Sequence, residues 1–591
     1  MMIKDFKNVM WLSRFSWRYG RAYTILWIMV RVLRFVVEDL MYVLPPMIIM
    51  NLLVEGRTFR YIAGVAIAIG AASLCKSILP RLFSRYFARK KEEIEQRLKQ
   101  DVYGKAVGTD YRYIDDPGYY DDYAWAVNGY ADQVSGAVSF LASSGRCLAG
   151  IAVMVSIIAT VEVWMLPIEA AQLVLHALVG RRMNRCDMGE REELVPIDRR
   201  LGYCHRLFYM KDYASDLKAT LLKTLVLDGF HKAGGKKVRV RSRYEGRKAF
   251  WRMADELVFA ATTGIIMLLL VHGIQSGSIP GIGMYVTMLL AFYQLDYQLR
   301  ELTDLLEQAN SLSLNAQRIR RFFDIEPGIE AGGHGEGAEP PEGRLSVELR
   351  DVGFGYGESG FALSHVNLSI RAGEKVAVVG ENGAGKSTLV KLLLRLYDVQ
   401  EGEILIGGRP IGEYDPHRLR QRIGVAFQDT NIYAMSLREN VSLYGQVPEG
   451  RLEETSEKLG LRAVLEKNRG GYDTELTREF DEGGMVLSGG EAQKVALARV
   501  MCGEFVLLLL DEPSSALDPI AEHRMNETIL DAAGGATAII VSHRLSTVRN
   551  ADRIVLMDGG SIRELGTHDE LMALKGKYYE MFTLQAKNYA D

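Results

Sequence analysis

Long apolar segments alternate with long charged segments through the first half of the chain. A helix needs about 20 apolar residues to cross the hydrocarbon core of a bilayer. Six segments are close to that length, at residues 23–53, 61–79, 137–161, 163–179, 257–274 and 281–298. The pattern therefore predicts six membrane-spanning helices, of which the last is the shortest in apolar content. A soluble bundle of six buried helices is the alternative, and these lengths disfavour it.

The two longest gaps between the apolar segments, residues 90–133 and 181–256, are polar and compatible with helix. Lysine and arginine collect near the adjoining segment ends, at Arg85, Arg89, Lys90, Lys91, Arg181, Arg182 and Arg185. Such residues are enriched on the cytoplasmic side of membrane proteins. We therefore expect a multi-pass protein of the cell membrane whose N-terminus and long helical extensions are cytoplasmic.

The character of the chain changes at residues 326–344, which are rich in Gly, Pro and Glu and read as a linker. From residue 345 onward, short apolar runs alternate with helical patterns, which is typical of an α/β domain with a mainly parallel sheet. The predicted organisation is an all-α membrane domain over residues 1–325, a linker over 326–344 and an α/β domain over 345–591.

The charge and the cysteine positions argue against a nucleic-acid partner, a metal cluster and a disulfide framework. The net charge is −3, so no excess of basic residues indicates a nucleic-acid partner. The five cysteines are scattered without paired spacing, so they predict neither a metal cluster nor a disulfide framework.

A phosphate-binding loop is the first chemical motif. Residues 380–388 fit G-x-x-x-x-G-K-[ST] and lie between an apolar run at 375–379 and a helical pattern at 389–394. Glycines let backbone N–H groups surround an anion, the lysine adds charge for the outer phosphates, and the serine offers a hydroxyl to Mg²⁺. The predicted contacts to a nucleoside triphosphate are Gly380, Asn382, Gly383, Gly385, Lys386, Ser387 and Thr388.

Other candidate residues follow predicted strands, where side chains point to the ligand crevice of an open α/β sheet. Asp511 is predicted to hold Mg²⁺, and the adjacent Glu512 to orient and polarise the attacking water. Gln428 is placed to reach Mg²⁺ or that water, and His543 to hydrogen-bond the γ-phosphate and Glu512. Tyr356 is a candidate to stack on an adenine ring. Taken singly, Gln428, His543 and Tyr356 also suit structural roles.

Ser488, Gly489 and Gly490 begin a further predicted helix. A serine cap followed by two glycines exposes backbone N–H groups and forms a second anion site. That site cannot easily reach a phosphate already enclosed by the loop of the same chain. It predicts a partner chain, with each serine-glycine-glycine run closing the ATP held by the other.

Together these motifs resemble those of the ATP-binding cassette (ABC) transporters, and the chain resembles exporter-type half-transporters over essentially its whole length. The matching motifs are the A-loop (Tyr356), Walker A (380–388), the Q-loop (Gln428), the signature (487–491), Walker B with the catalytic glutamate (506–512), the D-loop (515–518) and the H-loop (His543). Glu491 departs from the family, because glutamine is commoner there in exporters.

The resemblance implies an ABC nucleotide-binding domain of the P-loop NTPase fold that hydrolyses ATP with Mg²⁺. It implies export of an amphipathic small molecule, a lipid or a peptide by alternating access, with a second half-transporter as partner and membrane lipid around it. Homodimer and heterodimer both stay open. An importer on the same architecture, or a regulatory ATPase without transport, is the alternative. Residues 111–125 and 213–218 are predicted to couple the two domains.

Four ionisable residues in the first apolar segment, Arg31, Arg34, Glu38 and Asp39, are unusual for a membrane span. One interpretation is a polar lining of the transport path. The other is an internal charge pair near the cytoplasmic end.

Overall fold

A computed structural model describes residues 2–114, 116–160, 163–277, 279, 281–330, 338–357, 360–466, 470–513, 528, 535–544 and 548–587. The chain forms two compact units. The first comprises Met1–Gly104 and Asp122–Phe323, and the second comprises Lys105–Asp121 and Asp324–Asp591.

Long helices account for most of the first unit and continue into the second at two places. They are α1 (Met2–Val54), α2 (Phe59–Leu82), α3 (Ser84–Val107), α4 (Pro117–Ala159), α5 (Met165–Tyr209), the short α6 (Ala214–Ala219), α7 (Leu222–Ser276) and α8 (Ile282–Asp324). Helix α1 is kinked at Gly20, where a side chain would collide with Ile94. Elsewhere the apolar segments continue into charged ones without a break, as in α7.

Three helices in the described residues are long and apolar enough to cross a membrane, at Phe59–Ile78, Gly118–Ala159 and Leu222–Ser276. The other three predicted spans fall within α1, α5 and α8, whose sequences are more polar. Much of that polarity is paired inside the unit. The buried carboxylate of Asp39, for example, accepts hydrogen bonds from Gln294 (2.7 Å) and Gln298 (2.9 Å) of α8.

Two sheets build the second unit. The strands are β1 (Val347–Gly355), β2 (Phe361–Ile370), β3 (Lys375–Gly380), β4 (Glu401–Ile406), β5 (Arg409–Pro410), β6 (Ile423–Ala426), β7 (Leu507–Asp511), β8 (Thr537–Val541), β9 (Arg553–Asp558) and β10 (Ser561–Gly566). An antiparallel sheet has the order β2-β1-β4-β5, and a six-stranded sheet has the order β10-β9-β3-β8-β7-β6. In the larger sheet β9, β3, β8, β7 and β6 are parallel, and β10 is the antiparallel edge.

Within the described residues, the α-helices that follow β3 are α9 (Lys386–Leu393), α10 (Pro416–Gln421), α11 (Leu437–Val441), α12 (Glu449–Lys458), α13 (Arg462–Glu466), α14 (Gly489–Cys502), α15 (His568–Leu574) and α16 (Lys577–Lys587). Helix α9 packs on β3 and β7. Residues of α11 to α14 share an apolar core with β6, β7 and β8, whereas the two sheets enclose a separate core with α9.

Residues 105–121 belong to the second unit although they join two helices of the first. Asp110 is fully buried and accepts hydrogen bonds from the backbone N–H groups of Gly328 (2.9 Å) and Glu330 (3.0 Å). The ring of Tyr111 meets that of Tyr397 edge to face at 5.6 Å. The Asp110 carboxylate therefore anchors the start of the predicted linker. Residues 331–337 of that linker lie outside the described residues.

We expect Asp110→Asn to loosen this anchor, because an amide cannot accept both N–H bonds at full strength and its NH₂ group faces donors. Hydrogen bonds to a charged group contribute roughly 1.5–3 kcal/mol. A glutamate-specific protease should therefore cut residues 326–344 about tenfold faster, as followed by mass spectrometry of the full-length protein.

Asp116→Asn is the matched control. The Asp116 carboxylate is exposed and accepts a hydrogen bond from Gly118 N–H within its own turn, so the cleavage rate should not change. Equal cleavage of wild-type and Asp110→Asn proteins would contradict the anchoring role.

Candidate functional site: a nucleotide-binding edge of the parallel sheet

The predicted catalytic residues meet at one edge of the larger sheet. Strands β3, β8, β7 and β6 are neighbours and run parallel, so their carboxyl ends lie side by side. The phosphate loop follows β3, His543 follows β8, Asp511 ends β7 with Glu512 next to it, and Gln428 follows β6. Such an edge is where open α/β sheets bind ligands.

The loop after β3 wraps around the ammonium group of Lys386, the first residue of α9. Its Nζ donates to the carbonyls of Gly380 (2.8 Å) and Glu381 (2.9 Å). Burial lowers the pKa of Lys386, and the nearby Glu512 and Asp511 oppose that shift. The lysine thus supplies positive charge at the N-terminus of α9, where backbone N–H groups also attract anions.

Glycine is required at position 385 of the loop. Gly385 caps α9 in the left-handed region, with a φ of 96°. An added Cβ would lie 2.7 Å from the carbonyl oxygen of Ala362 and 2.6 Å from a methyl carbon of Leu363. Any side chain here would therefore push the loop away from β2. Asn382 and Gly383 are exposed at the tip of the same loop.

Asp511 and Ser387 provide a set of hard oxygen atoms. The Ser387 hydroxyl hydrogen-bonds the Asp511 carboxylate, which is buried at the end of β7. Burial and the neighbouring Glu512 raise the pKa of Asp511 above its usual value, against the effects of Ser387 and Lys386. A hydroxyl and a carboxylate of this kind match the ligand preference of Mg²⁺.

Glu512 is held in place by its backbone. Its φ of 51° is left-handed, and its N–H donates to the carbonyl of Val541 at 2.9 Å. On the neighbouring strand end, His543 Nδ1 lies 3.1 Å from Glu512 Oε2. The largely buried Glu512 carboxylate therefore lies at the sheet edge with a histidine partner.

Gln428 and Tyr356 approach the site from its periphery. Gln428 is exposed in the segment that leaves β6. Tyr356 follows β1 of the antiparallel sheet, and its hydroxyl lies 3.3 Å from Thr388 Oγ1 on α9. The tyrosine is thereby fixed next to the phosphate loop, with its ring partly exposed.

Ser488 caps α14 through a reciprocal capping box. Its N–H and its hydroxyl both donate to Glu491 Oε2 at 2.9 Å, and Glu491 N–H bonds back to Ser488 Oγ. Glu491 therefore serves the cap, which glutamine would also satisfy. Ser488 and Gly489 are exposed, so the start of α14 faces outward from its own chain.

Two supporting contacts were not expected from the sequence. Lys391 of α9 has its Nζ 5.3 Å from the ring centre of Tyr356, 5.6 Å from that of Tyr111 and 5.9 Å from that of Tyr397. Arg499 of α14 donates to the carbonyl and side-chain oxygens of the fully buried Asn440. No short motif around Lys391 or Arg499 in the sequence predicts either contact. The predicted D-loop, residues 515–518, lies outside the described residues.

The family profile described as "ABC transporter" matches residues 363–515, which include the phosphate loop, the serine-glycine-glycine run, Asp511 and Glu512. The matched part of this chain belongs to the ABC transporter family. The matched residues form its ATP-binding cassette, and the predicted α/β domain is confirmed.

Several proteins whose names give different cargoes are similar to this chain in sequence. It is 35% identical over 337 residues to an ATP-dependent lipid A-core flippase of Syntrophus aciditrophicus, covering 56% of this chain and 54% of the flippase. It is 34% identical over 338 residues to a β-(1→2)glucan export protein of Rhizobium johnstonii, covering 56% of each. It is 44% identical over 253 residues to the subtilin transport protein of Bacillus subtilis, covering 42% of this chain and 40% of that protein. The matches thus span about half of each relative.

A bacterial Atm1-family ABC exporter with ATP bound has the same fold. The TM-score is 0.78 at 23% identity, over 95% of this chain and 98% of that one. The predicted fold class, a helical membrane-type domain followed by a cassette, is thereby confirmed for almost the whole chain.

We expect Gly385→Ala to weaken ATP binding at least about tenfold, because the methyl group would displace the loop from β2. Titration of the full-length protein with a fluorescent ATP analogue measures the effect. Gly450→Ala is the control, since no atom lies within 4 Å of the added methyl group. Unchanged affinity in Gly385→Ala would show that the loop tolerates the displacement.

Proposed function

We propose that this chain is one half of an ATP-driven exporter that hydrolyses ATP with Mg²⁺ at an interface between two cassettes. The observation that carries the proposal is the meeting of Lys386, Asp511, Glu512 and His543 at one sheet edge. These groups supply phosphate binding, metal binding and water orientation in one place, as phosphoryl transfer requires.

Each group has a definite part in this mechanism. Lys386 and the loop N–H groups bind the outer phosphates. Ser387 and Asp511, with Gln428 at the periphery, would hold Mg²⁺, which supplies charge stabilisation when it is bound. Glu512 orients the attacking water and takes its proton, and the His543 imidazole holds the Glu512 carboxylate in position. Tyr356 supports the adenine.

Charged side chains alone do not complete a metal site here. The described residues contain no cluster of three His, Cys, Asp or Glu side chains that could hold a metal ion. The ligand set proposed above combines one carboxylate with a hydroxyl and an amide. Mg²⁺ commonly binds in this way, with substrate phosphates filling the remaining positions.

A second copy or a related half-transporter is the proposed partner. Ser488, Gly489 and Gly490 face outward and are suited to closing an ATP held by that partner. In the first unit, large apolar side chains around α6 are also exposed, namely Phe208, Tyr209, Met210, Leu221 and Leu225. Apolar clusters of this kind mark interaction surfaces, which supports the predicted coupling role of residues 213–218.

The cargo is proposed as an amphipathic small molecule, a lipid or a peptide. The relatives support this range, because their names include a lipid A-core flippase and a subtilin transporter. We place the six spans of the first unit in the cell membrane, with the N-terminus and the cassette in the cytoplasm. An importer would move cargo across the membrane of sealed vesicles in the direction opposite to export. A regulatory ATPase without transport would move no cargo.

We expect Glu512→Gln to bind ATP with wild-type affinity and to lose at least about 100-fold in turnover, because general-base assistance contributes that much. Phosphate release from the purified protein in lipid measures turnover. Glu504→Gln provides the control, since Glu504 is exposed just before β7 and, within the described residues, its one ion pair is with Arg451 at 3.1 Å. Wild-type turnover in Glu512→Gln would remove Glu512 from the mechanism.

We expect the Ser488 run to act on the ATP of the other chain. Lys386→Ala and Ser488→Arg are introduced into two tagged copies, either both on one copy or one on each, and the mixed dimers are purified. If Ser488 acts on the ATP of the other chain, one complete site remains only when the two changes are on separate copies. Turnover should then be greater than with both changes on one copy. Greater turnover with both changes on one copy would mean that Ser488 serves its own chain.

A further inference from the structure

A cavity of about 410 Å³ lies between α1 and α3 in the first unit. Its lining includes Tyr23, Trp27, Arg31, Arg34, Phe87 and Lys91. This volume is within the range of small-molecule sites. The cavity is separate from the nucleotide-binding edge, because all of its lining residues belong to the first unit.

Aromatic rings form one wall of the cavity. Trp27 meets Phe87 edge to face at 5.1 Å and stacks with Tyr23 at 6.0 Å, and Tyr23 meets Phe87 at 5.9 Å. Tyr23 and Phe87 are buried, so the wall is held in place from behind. Tryptophan and tyrosine are enriched where a membrane protein meets the headgroup layer.

Three positively charged side chains, Arg31, Arg34 and Lys91, also line the cavity. The Arg31 guanidinium lies 5.5 Å above the Trp27 ring, and Arg34 is exposed one turn further along α1. Within the described part of the chain, no ion pair involves either arginine, whereas Lys91 pairs with Glu95 at 3.4 Å. Glu38, one turn further along α1 than Arg34, pairs instead with Lys76 of α2 at 3.6 Å.

The Glu38–Lys76 pair also fixes the depth of the cavity. It aligns α1 with α2, where Arg81, five residues beyond Lys76, ends the apolar stretch. Arg34 lies four residues before Glu38, which is about 6 Å along the helix in the same direction. By the same rise, Arg31 lies about 10 Å before Glu38 and Arg81 about 7.5 Å beyond Lys76. The two arginines therefore lie on either side of the level at which the apolar stretch ends and lipid headgroups begin.

We propose that this cavity binds the phosphate headgroup of an anionic phospholipid from the cytoplasmic leaflet. Arg31 and Arg34 contact the phosphate, and the aromatic wall contacts the glycerol region and the first acyl carbons. Arginine suits this task because its planar group binds phosphate with paired hydrogen bonds. The proposal rests on the cytoplasmic placement of the N-terminus given above.

Native mass spectrometry of the full-length protein, released from vesicles of phosphatidylglycerol and phosphatidylcholine, tests the site. Wild-type protein should retain phosphatidylglycerol in preference to phosphatidylcholine. Combined Arg31→Gln and Arg34→Gln should weaken retention of phosphatidylglycerol about tenfold. Inorganic phosphate should not displace the lipid, because it lacks the groups that contact the aromatic wall.

Arg182→Gln is the matched control. Arg182 is exposed and lies 5.8 Å above the Trp251 ring, but it is not among the residues that line this cavity. An equal loss of phosphatidylglycerol in Arg182→Gln would mean that lipid retention depends on general surface charge, and it would overturn the proposal. Unchanged retention in the double variant, or displacement by inorganic phosphate, would also overturn it.

Ala88→Glu gives an independent variant if the arginine changes impair folding. Ala88 is exposed on α3 and lines the cavity, so a carboxylate there should compete with the lipid phosphate for the arginines. Retention of phosphatidylglycerol should fall as in the double variant. Lipid retention is measured without ATP, so a failure of the exporter proposal would appear in turnover and transport while leaving this result unaffected.

Discussion

The position of β3 within the six-stranded sheet determines where every other group of the ATP site can lie. Its backbone is paired on one side with β8 and on the other with β9, both parallel to it. That pairing fixes the point at which Gly380 leaves the sheet and Lys386 begins α9. Because β7 and β6 continue the same parallel order, Asp511, Glu512 and Gln428 must emerge at the same edge.

The first unit satisfies its polar groups differently, by pairing charges inside a helical core. Asp39 is bound by two glutamines of α8, and His176 Nδ1 lies 2.8 Å from Asp255. An unpaired buried charge is costly in an apolar environment, so such pairs keep polar residues compatible with long helices. The pairing is incomplete: among the described residues, Arg31 and Arg34 form no ion pair, and the buried Glu169 carboxylate has no hydrogen-bond partner.

The sequence predicted the cassette well because its signals are local. An apolar run that ends in Asp511 and Glu512, or a glycine-rich loop before a helix, can be recognised from adjacent residues alone. The packing of residues 105–121 in the second unit and the position of Lys391 among three tyrosines were not predictable, since they arise from segments far apart in the chain. The polar spans in α1, α5 and α8 remain predictions for the same reason: their partners lie on other helices.

Helix α7 is unbroken over 55 residues, from Leu222 to Ser276. At 1.5 Å per residue it measures about 80 Å from end to end. A rod of that length converts a tilt of roughly one degree into a displacement of about 1.4 Å at its far end. Very small rotations at the charged end of this helix are therefore enough to rearrange side-chain packing at its apolar end.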